Sequence, residues 1–313
     1  MTELAKAKRK FSIGKGIYPI LIGFVAIFII ASIISPDFLQ TKNLMNVLRQ
    51  VSSNCIIAVG MTFVILTGGI DLSVGSVVAL TGCIVASCQT LPAPVALILG
   101  LLIGLVCGFI SGIIIVTRKL QPFIVTLAMM TIVKGVAFIY TDGRPILGVS
   151  EGLENIAQKY LGPIPLPAIY MIVIVAVAFF LLKYTHYGRS VYAVGGNEEA
   201  ATLSGTRSGA VKVSVYMISG LLSAFAAIIN VARVEVGEPI LGDGWELDAI
   251  AAVAIGGTAM TGGIGNVLGT LIGALILGVL NNLFNLLNIS AYIQEVVRGV
   301  IILVAVLATT RKK

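Results

Sequence analysis

The sequence predicts an all-α polytopic membrane protein of about ten transmembrane helices, and three observations predict it. Of 313 residues, 58% are hydrophobic and 11% charged, against roughly a quarter charged in a soluble domain. The mean hydropathy is +1.04. The chain also divides into apolar runs near the ~20 residues that one crossing needs, joined by polar turns. This composition excludes an ordinary soluble enzyme, a disordered chain and a disulfide scaffold.

The runs come in order. The first, 17–34, follows Lys6, Lys8, Arg9, Lys10 and Lys15, as a secretory signal would follow its basic region. It is longer than an h-region of ~7–15 residues, so it reads as an uncleaved helix. Further spans are expected at 52–68, 73–90, 95–116, 122–140, 167–183, 211–232, 246–258, 265–287 and 291–308. The fourth run carries Gly100, Gly104, Gly108 and Gly112 in i+4 register, and the ninth carries Gly265, Gly269 and Gly273. Ridges of small residues let helix backbones approach closely where lipid supplies little hydrophobic drive. Cys55, Cys83, Cys88 and Cys107 lie in or beside apolar runs without CxxC spacing and read as small core residues.

Charge sets the orientation. Lys and Arg accumulate in short cytoplasmic loops. With both termini cytoplasmic, 14 of the 21 cations fall inside, counting the basic N-terminus (1–16), Arg118, Lys119, Lys183, Arg189, Arg207, Lys212 and the terminal Arg311, Lys312 and Lys313. Lys42, Arg49, Arg144, Lys159 and Arg233 fall outside, and Lys134 and Arg298 within spans. Asp37, Asp142, Glu151, Glu154, Glu235, Glu238, Asp243 and Glu246 are all outside. The net charge of +7 is then mainly an orientation signal, with no basic surface for nucleic acid.

Two segments break the apolar runs: Thr67 to Gly75 (TGGIDLSVG) and Gly256 to Gly265 (GGTAMTGGIG). Glycine-interrupted hydrophobic segments recurring in two halves of a transporter point to its substrate path. Asp71 and Ser73 are candidates for that path. They serve equally as an interfacial N-cap for the third helix, and the two roles are compatible. Asn281 and Asn285 share a helical face at i,i+4 and suit sugar hydroxyls or a neighbouring helix. Glu295 and Arg298 at i,i+3 suit a mutual pair.

Several chemistries are missing from the sequence. The single histidine, His186, falls in a loop, which leaves no His-based dyad or zinc site within the spans. No G-x-x-x-x-G-K-[ST] occurs to hold ATP, and the intramembrane acids are too few for a proton relay. A pore of this kind is passive, ion-coupled or driven by another subunit.

The long cytoplasmic loop, 184–210, decides between them. In GRSVYAVGGNEEAATLSG (188–205), Asn197 can cap a short helix, Glu198 and Glu199 suit its first turn, and Gly205 can end it. This loop, with GGIDLSVGSVVALTG (68–82) and AIAAVAIGGTAMTGGIGNVLGTLIGALILG (249–278), resembles the permease subunits of bacterial ATP-binding cassette (ABC) sugar importers, above all the ribose permeases.

The resemblance covers nearly the whole chain, as one permease domain over 1–313. It implies a type II importer fold, like that of the vitamin B12 importer, with an inverted internal repeat. It also implies a non-catalytic homodimeric pore in the bacterial inner membrane, without a bound cofactor. The partners would be a cytoplasmic ATPase that uses the ATP and an extracytoplasmic sugar-binding protein that docks on the outer loops. Gly195, Gly196, Asn197, Glu198, Glu199, Ala200, Ala201, Ser204 and Gly205 would form the helix that couples to the ATPase. The cargo would be ribose, with another monosaccharide or a furanose-like signal molecule as alternatives within the class. An ion-coupled secondary transporter is the alternative outside it.

Overall fold

The computed structural model describes residues 13–310, so the cations at 6–10 and 311–313 lie outside the described residues. Thirteen helices follow one another: α1 (Ile13–Ile34), α2 (Thr41–Leu66), α3 (Val74–Ser87), α4 (Ala93–Arg118), α5 (Pro122–Thr141), α6 (Asn155–Gln158), α7 (Leu166–Tyr184), α8 (His186–Gly196), α9 (Glu198–Leu203), α10 (Ser208–Val234), α11 (Trp245–Ile255), α12 (Val267–Leu286) and α13 (Ala291–Thr310). Four two-residue strands make two small antiparallel ribbons: β1 (Ile146–Leu147) pairs with β4 (Val236–Gly237), and β2 (Tyr160–Leu161) with β3 (Ile164–Pro165).

Each predicted run is helical, but the runs differ in how far they could reach across a membrane. Among the described residues, seven helices (α1, α2, α4, α5, α7, α10 and α12) are long and apolar enough to cross a membrane. The expected spans at 73–90 and 246–258 are shorter, with 14 residues in α3 and 11 in α11. At 1.5 Å per residue these reach about 21 and 17 Å, short of a ~30 Å hydrocarbon core. The first break therefore joins a long helix to a short one (α2 to α3), and the second joins a short one to a long one (α11 to α12).

The start of α2 also corrects the sequence reading. Residues 41–51, expected in an outer turn, are helical, so Lys42 and Arg49 lie on α2 itself. The guanidinium of Arg49 sits 5.0 Å from the centre of the Tyr160 ring. Just before it in the chain, α1 begins at Ile13, inside the stretch read as a basic N-terminal tail.

The core is built around α2 and α10. Every residue of α2 from Cys55 to Leu66 is buried, as befits a stretch of helix that is apolar on all sides. On α10, Tyr216, Ala226, Ala227, Ile228 and Ile229 are at most 1% exposed. The glycine ridge of α4 packs on α10: a methyl group on Gly104 or Gly108 would overlap the carbonyl of Gly220 or Tyr216. The second ridge does the same on α11, Gly269 against Gly256 and Gly273 against Ala252. Both seams are thus backbone on backbone. All four cysteines are free and buried.

Candidate functional site

Two regions stand apart from this packing. The first lies where α8 and α9 meet the two broken segments. Asn197 caps α9: its side-chain oxygen accepts the Ala200 amide at 2.9 Å. Glu198 and Glu199 occupy the first turn. Gly205, at φ +87°, supplies the left-handed residue that closes the helix. Its amide donates to the Thr202 carbonyl, and that of Thr206 to Ala201, the paired bonds of a Schellman closure. Only Ala201 of this helix is buried, while Leu203 is 85% exposed. Lys212 of α10 pairs with Glu198. The result is a short, doubly capped helix that stands off the bundle.

Its other end is anchored through α8. The Tyr187 hydroxyl shares a hydrogen bond with Ser214 at 2.7 Å, and the Tyr192 hydroxyl donates to the Gly265 carbonyl at 2.9 Å. Gly195 lies against the end of α2, where a methyl group would overlap the Leu66 carbonyl and stand 2.6 Å from the Gly263 nitrogen. The same Leu66 carbonyl accepts the Gly263 amide at 2.9 Å. A methyl on Gly262 would stand 2.8 Å from the Gly68 nitrogen. The two broken segments and the loop thus converge in one knot of backbone. Gly196 differs from its neighbour, since nothing lies within 4 Å of a methyl there.

Asp71 sits behind the knot, 1% exposed. Its Oδ1 accepts the Ser73 amide at 3.0 Å and the Ser73 hydroxyl at 2.6 Å, and its Oδ2 accepts the Ser219 hydroxyl at 2.8 Å. The turn is also held by the Thr126 hydroxyl, which donates to the Ile70 carbonyl at 3.2 Å. An acid removed from water needs such partners. The expected interfacial cap is therefore a buried turn: Ser73 holds the N-cap position of α3 without a side-chain cap bond, and Asp71 ties that turn to α10.

The second region is a cavity of about 260 Å3 near the far ends of the same helices. Asn54 of α2, Asn230 of α10, Trp245 and Asp248 of α11, Asn281 of α12 and Arg298 of α13 line it. Arg298 Nε lies 3.0 Å from Asp248 Oδ1. This ion pair replaces the expected pairing of Arg298 with Glu295. Of the four candidate path residues, only Asn281 faces this cavity; Asn285 accepts a bond from Gln294 of α13 at 3.1 Å. Asn54, Trp245 and Asp248 escaped the sequence reading. Their signals were an amide inside the second run, the single tryptophan, and an acid inside the eighth run.

Both regions hang on one helix. Leu66 in the knot and Asn54 on the cavity are separated by twelve residues of α2, about 18 Å along its axis.

A mostly helical bundle with broken apolar runs and a capped helix outside it suits a transporter's membrane subunit. Residues 43–306 match the family described as "Branched-chain amino acid transport system / permease component", and the chain belongs to that family of multi-pass permeases. The chain is 50% identical over 293 residues to the ribose import permease protein RbsC of Haemophilus influenzae, covering 92% of this chain and 91% of that one. Its identity to RbsC of Bacillus subtilis is 49% over 295 residues, covering 93% and 92% of the two chains. To the L-arabinose transport system permease protein AraH of Escherichia coli it is 38% over 309 residues, covering 96% and 93%. No solved structure matches this one.

Proposed function

We infer that this chain is the non-catalytic permease subunit of an ABC importer and moves ribose into the cell. The observation that carries the reading is the 50% identity to a ribose import permease along 92% of the chain. The family description names branched-chain amino acids, but relatives 46% to 50% identical carry ribose in their names. In this reading all ten runs cross or enter the inner membrane, with both termini and the loop 184–210 in the cytoplasm. The long–short and short–long order at the two breaks supports an inverted repeat and a type II fold. Two copies form the pore, a binding protein delivers sugar to the outer loops, and a separate ATPase uses the ATP.

The mechanism follows from the knot. The six-residue helix α9 is rigid because both ends are capped, and its exposed Leu203 suits a groove on the ATPase. Residues 195–205 are its coupling segment. When the ATPase pair closes, α9 moves, and Gly195 passes the displacement to α2 and to the α11–α12 break through backbone contact. Side chains can change rotamer and absorb a push, whereas crossing backbones cannot. The pore then alternates the side it faces. Such a pore holds sugar weakly, because a carrier must release what it accepts.

The test is uptake of labelled ribose by cells that lack their own ribose permease and carry this one with its ATPase and binding protein. Ribose uptake that depends on ATP and resists excess arabinose is expected. Uptake that persists without ATP overturns the ABC reading, and uptake that arabinose blocks more strongly than ribose overturns the cargo.

A further inference from the structure

Polar side chains inside a membrane bundle are costly unless they pair or line a watery path. The cavity between α2, α10, α11, α12 and α13 gathers three asparagines, a glutamine, a serine, two acids, two arginines and the only tryptophan of the chain. Elsewhere in the same helices, three asparagines find partners. Asn43 and Asn282 exchange amide bonds at 3.0 and 2.8 Å, and Asn285 bonds to Gln294. No hydrogen bond ties the side-chain amides of Asn54, Asn230 or Asn281 to another of the described residues, and all three line the cavity.

We propose that this cavity is a low-affinity binding station for a single neutral sugar ring, a proposal that rests on the sugar-importer reading above. An amide both donates and accepts, and so does a hydroxyl. Three amides around one space therefore match a polyol, where a row of lysines would match a phosphate. The charged groups on the wall, Arg233 and Arg298 against Asp243 and Asp248, balance, and Asp248 and Arg298 pair at 3.0 Å; little net charge is left, and this disfavours an ion. The indole of Trp245 supplies a flat apolar surface, suited to the C–H face of a ring and unsuited to an open-chain polyol. The volume of about 260 Å3 lies just below the ~300–1,000 Å3 of pockets for drug-sized ligands. It suits a small ligand such as one monosaccharide.

The cavity carries its own probe, because Trp245 is the only tryptophan. Ribose and arabinose are titrated in turn into the purified full-length permease in detergent while the Trp245 emission is read, with mannitol as the open-chain comparison. At least one pentose is expected to give a saturable change with a millimolar midpoint, and mannitol none. Asn54→Ala and Asn281→Ala are each expected to weaken the midpoint roughly tenfold, the equivalent of one lost hydrogen bond. Their elution from a sizing column reports whether they remain folded. No saturable change with either pentose, or an equal change with mannitol, overturns the station without recourse to any variant. ATP-driven uptake in proteoliposomes with both partners separates the two readings. Uptake without a Trp245 response overturns the station alone, and absent uptake overturns the importer reading itself.

Discussion

The knot and the cavity occupy opposite ends of the same helices and are built by opposite means. At the knot, glycines bring three backbone segments together, with Gly195 against Leu66 and Gly262 against Gly68, and the bonds run between main-chain atoms. At the cavity, long polar side chains surround about 260 Å3 of open space. A backbone contact has one geometry and transmits displacement, whereas a ring of pendant amides can adapt to a ligand and let it go. In the proposed importer the knot would be the rigid drive and the cavity the loose recognition.

Substitutions test that contrast, beginning with the knot. Gly195→Val drives a side chain into the Leu66 carbonyl, and overpacking of this kind costs about 3 kcal/mol. A sharply lower melting temperature in detergent and loss of ribose uptake are expected; wild-type melting would mean that the knot yields. Asp71→Ala leaves the buried Ser73 amide and Ser219 hydroxyl without their acceptor, at about 2 kcal/mol. Hydrogen exchange should rise over 67–73 and in the facing turn of α10, and unchanged exchange there would break the link. Asn197→Ala removes the cap of α9, worth about 1 kcal/mol. Its effect should stay local, with faster exchange over 198–203 and reduced uptake at an unchanged melting temperature.

The cavity should behave otherwise. Asn54→Ala and Asn281→Ala are expected to leave the melting temperature nearly unchanged, within about 0.5 kcal/mol as for sites free of buried partners. They should raise the KM for uptake rather than lower its maximum. A large loss of stability in either would make the amides structural and erase the contrast. The smallest effect is expected at Gly196→Ala, where a methyl meets nothing within 4 Å. Melting and insertion should match the wild type, so the pair Gly195 and Gly196 measures how sharply the knot is bounded.

The sequence was most legible where structure is local. The cap of α9 could be read from Asn197, Glu198, Glu199 and Gly205, because capping depends on residues only a few positions apart. The glycine ridges were legible for the same reason. The start of α2 was misread because Lys42, Asn43, Asn46, Arg49 and Gln50 look like a loop. Tertiary contacts override such local polarity: Asn43 pairs with Asn282 of α12. Arg298 was given Glu295 as its partner because i,i+3 spacing is visible in one dimension, while Asp248 lies on another helix. The cavity was least legible, since five helices contribute to it. Nor does a Gly-Gly pair in a sequence disclose that only the first glycine is crowded.

The central helix has a bearing on how the protein is made. Of the seven membrane-length helices, α2 is the least apolar and the most enclosed. Its N-terminal half bears Lys42, Arg49, Gln50 and Asn54, residues that a nascent chain partitions reluctantly into lipid. The helices that cover this face, α10 and α12, lie far downstream and leave the ribosome much later. During synthesis the polar face of α2 is therefore made long before the helices that cover it.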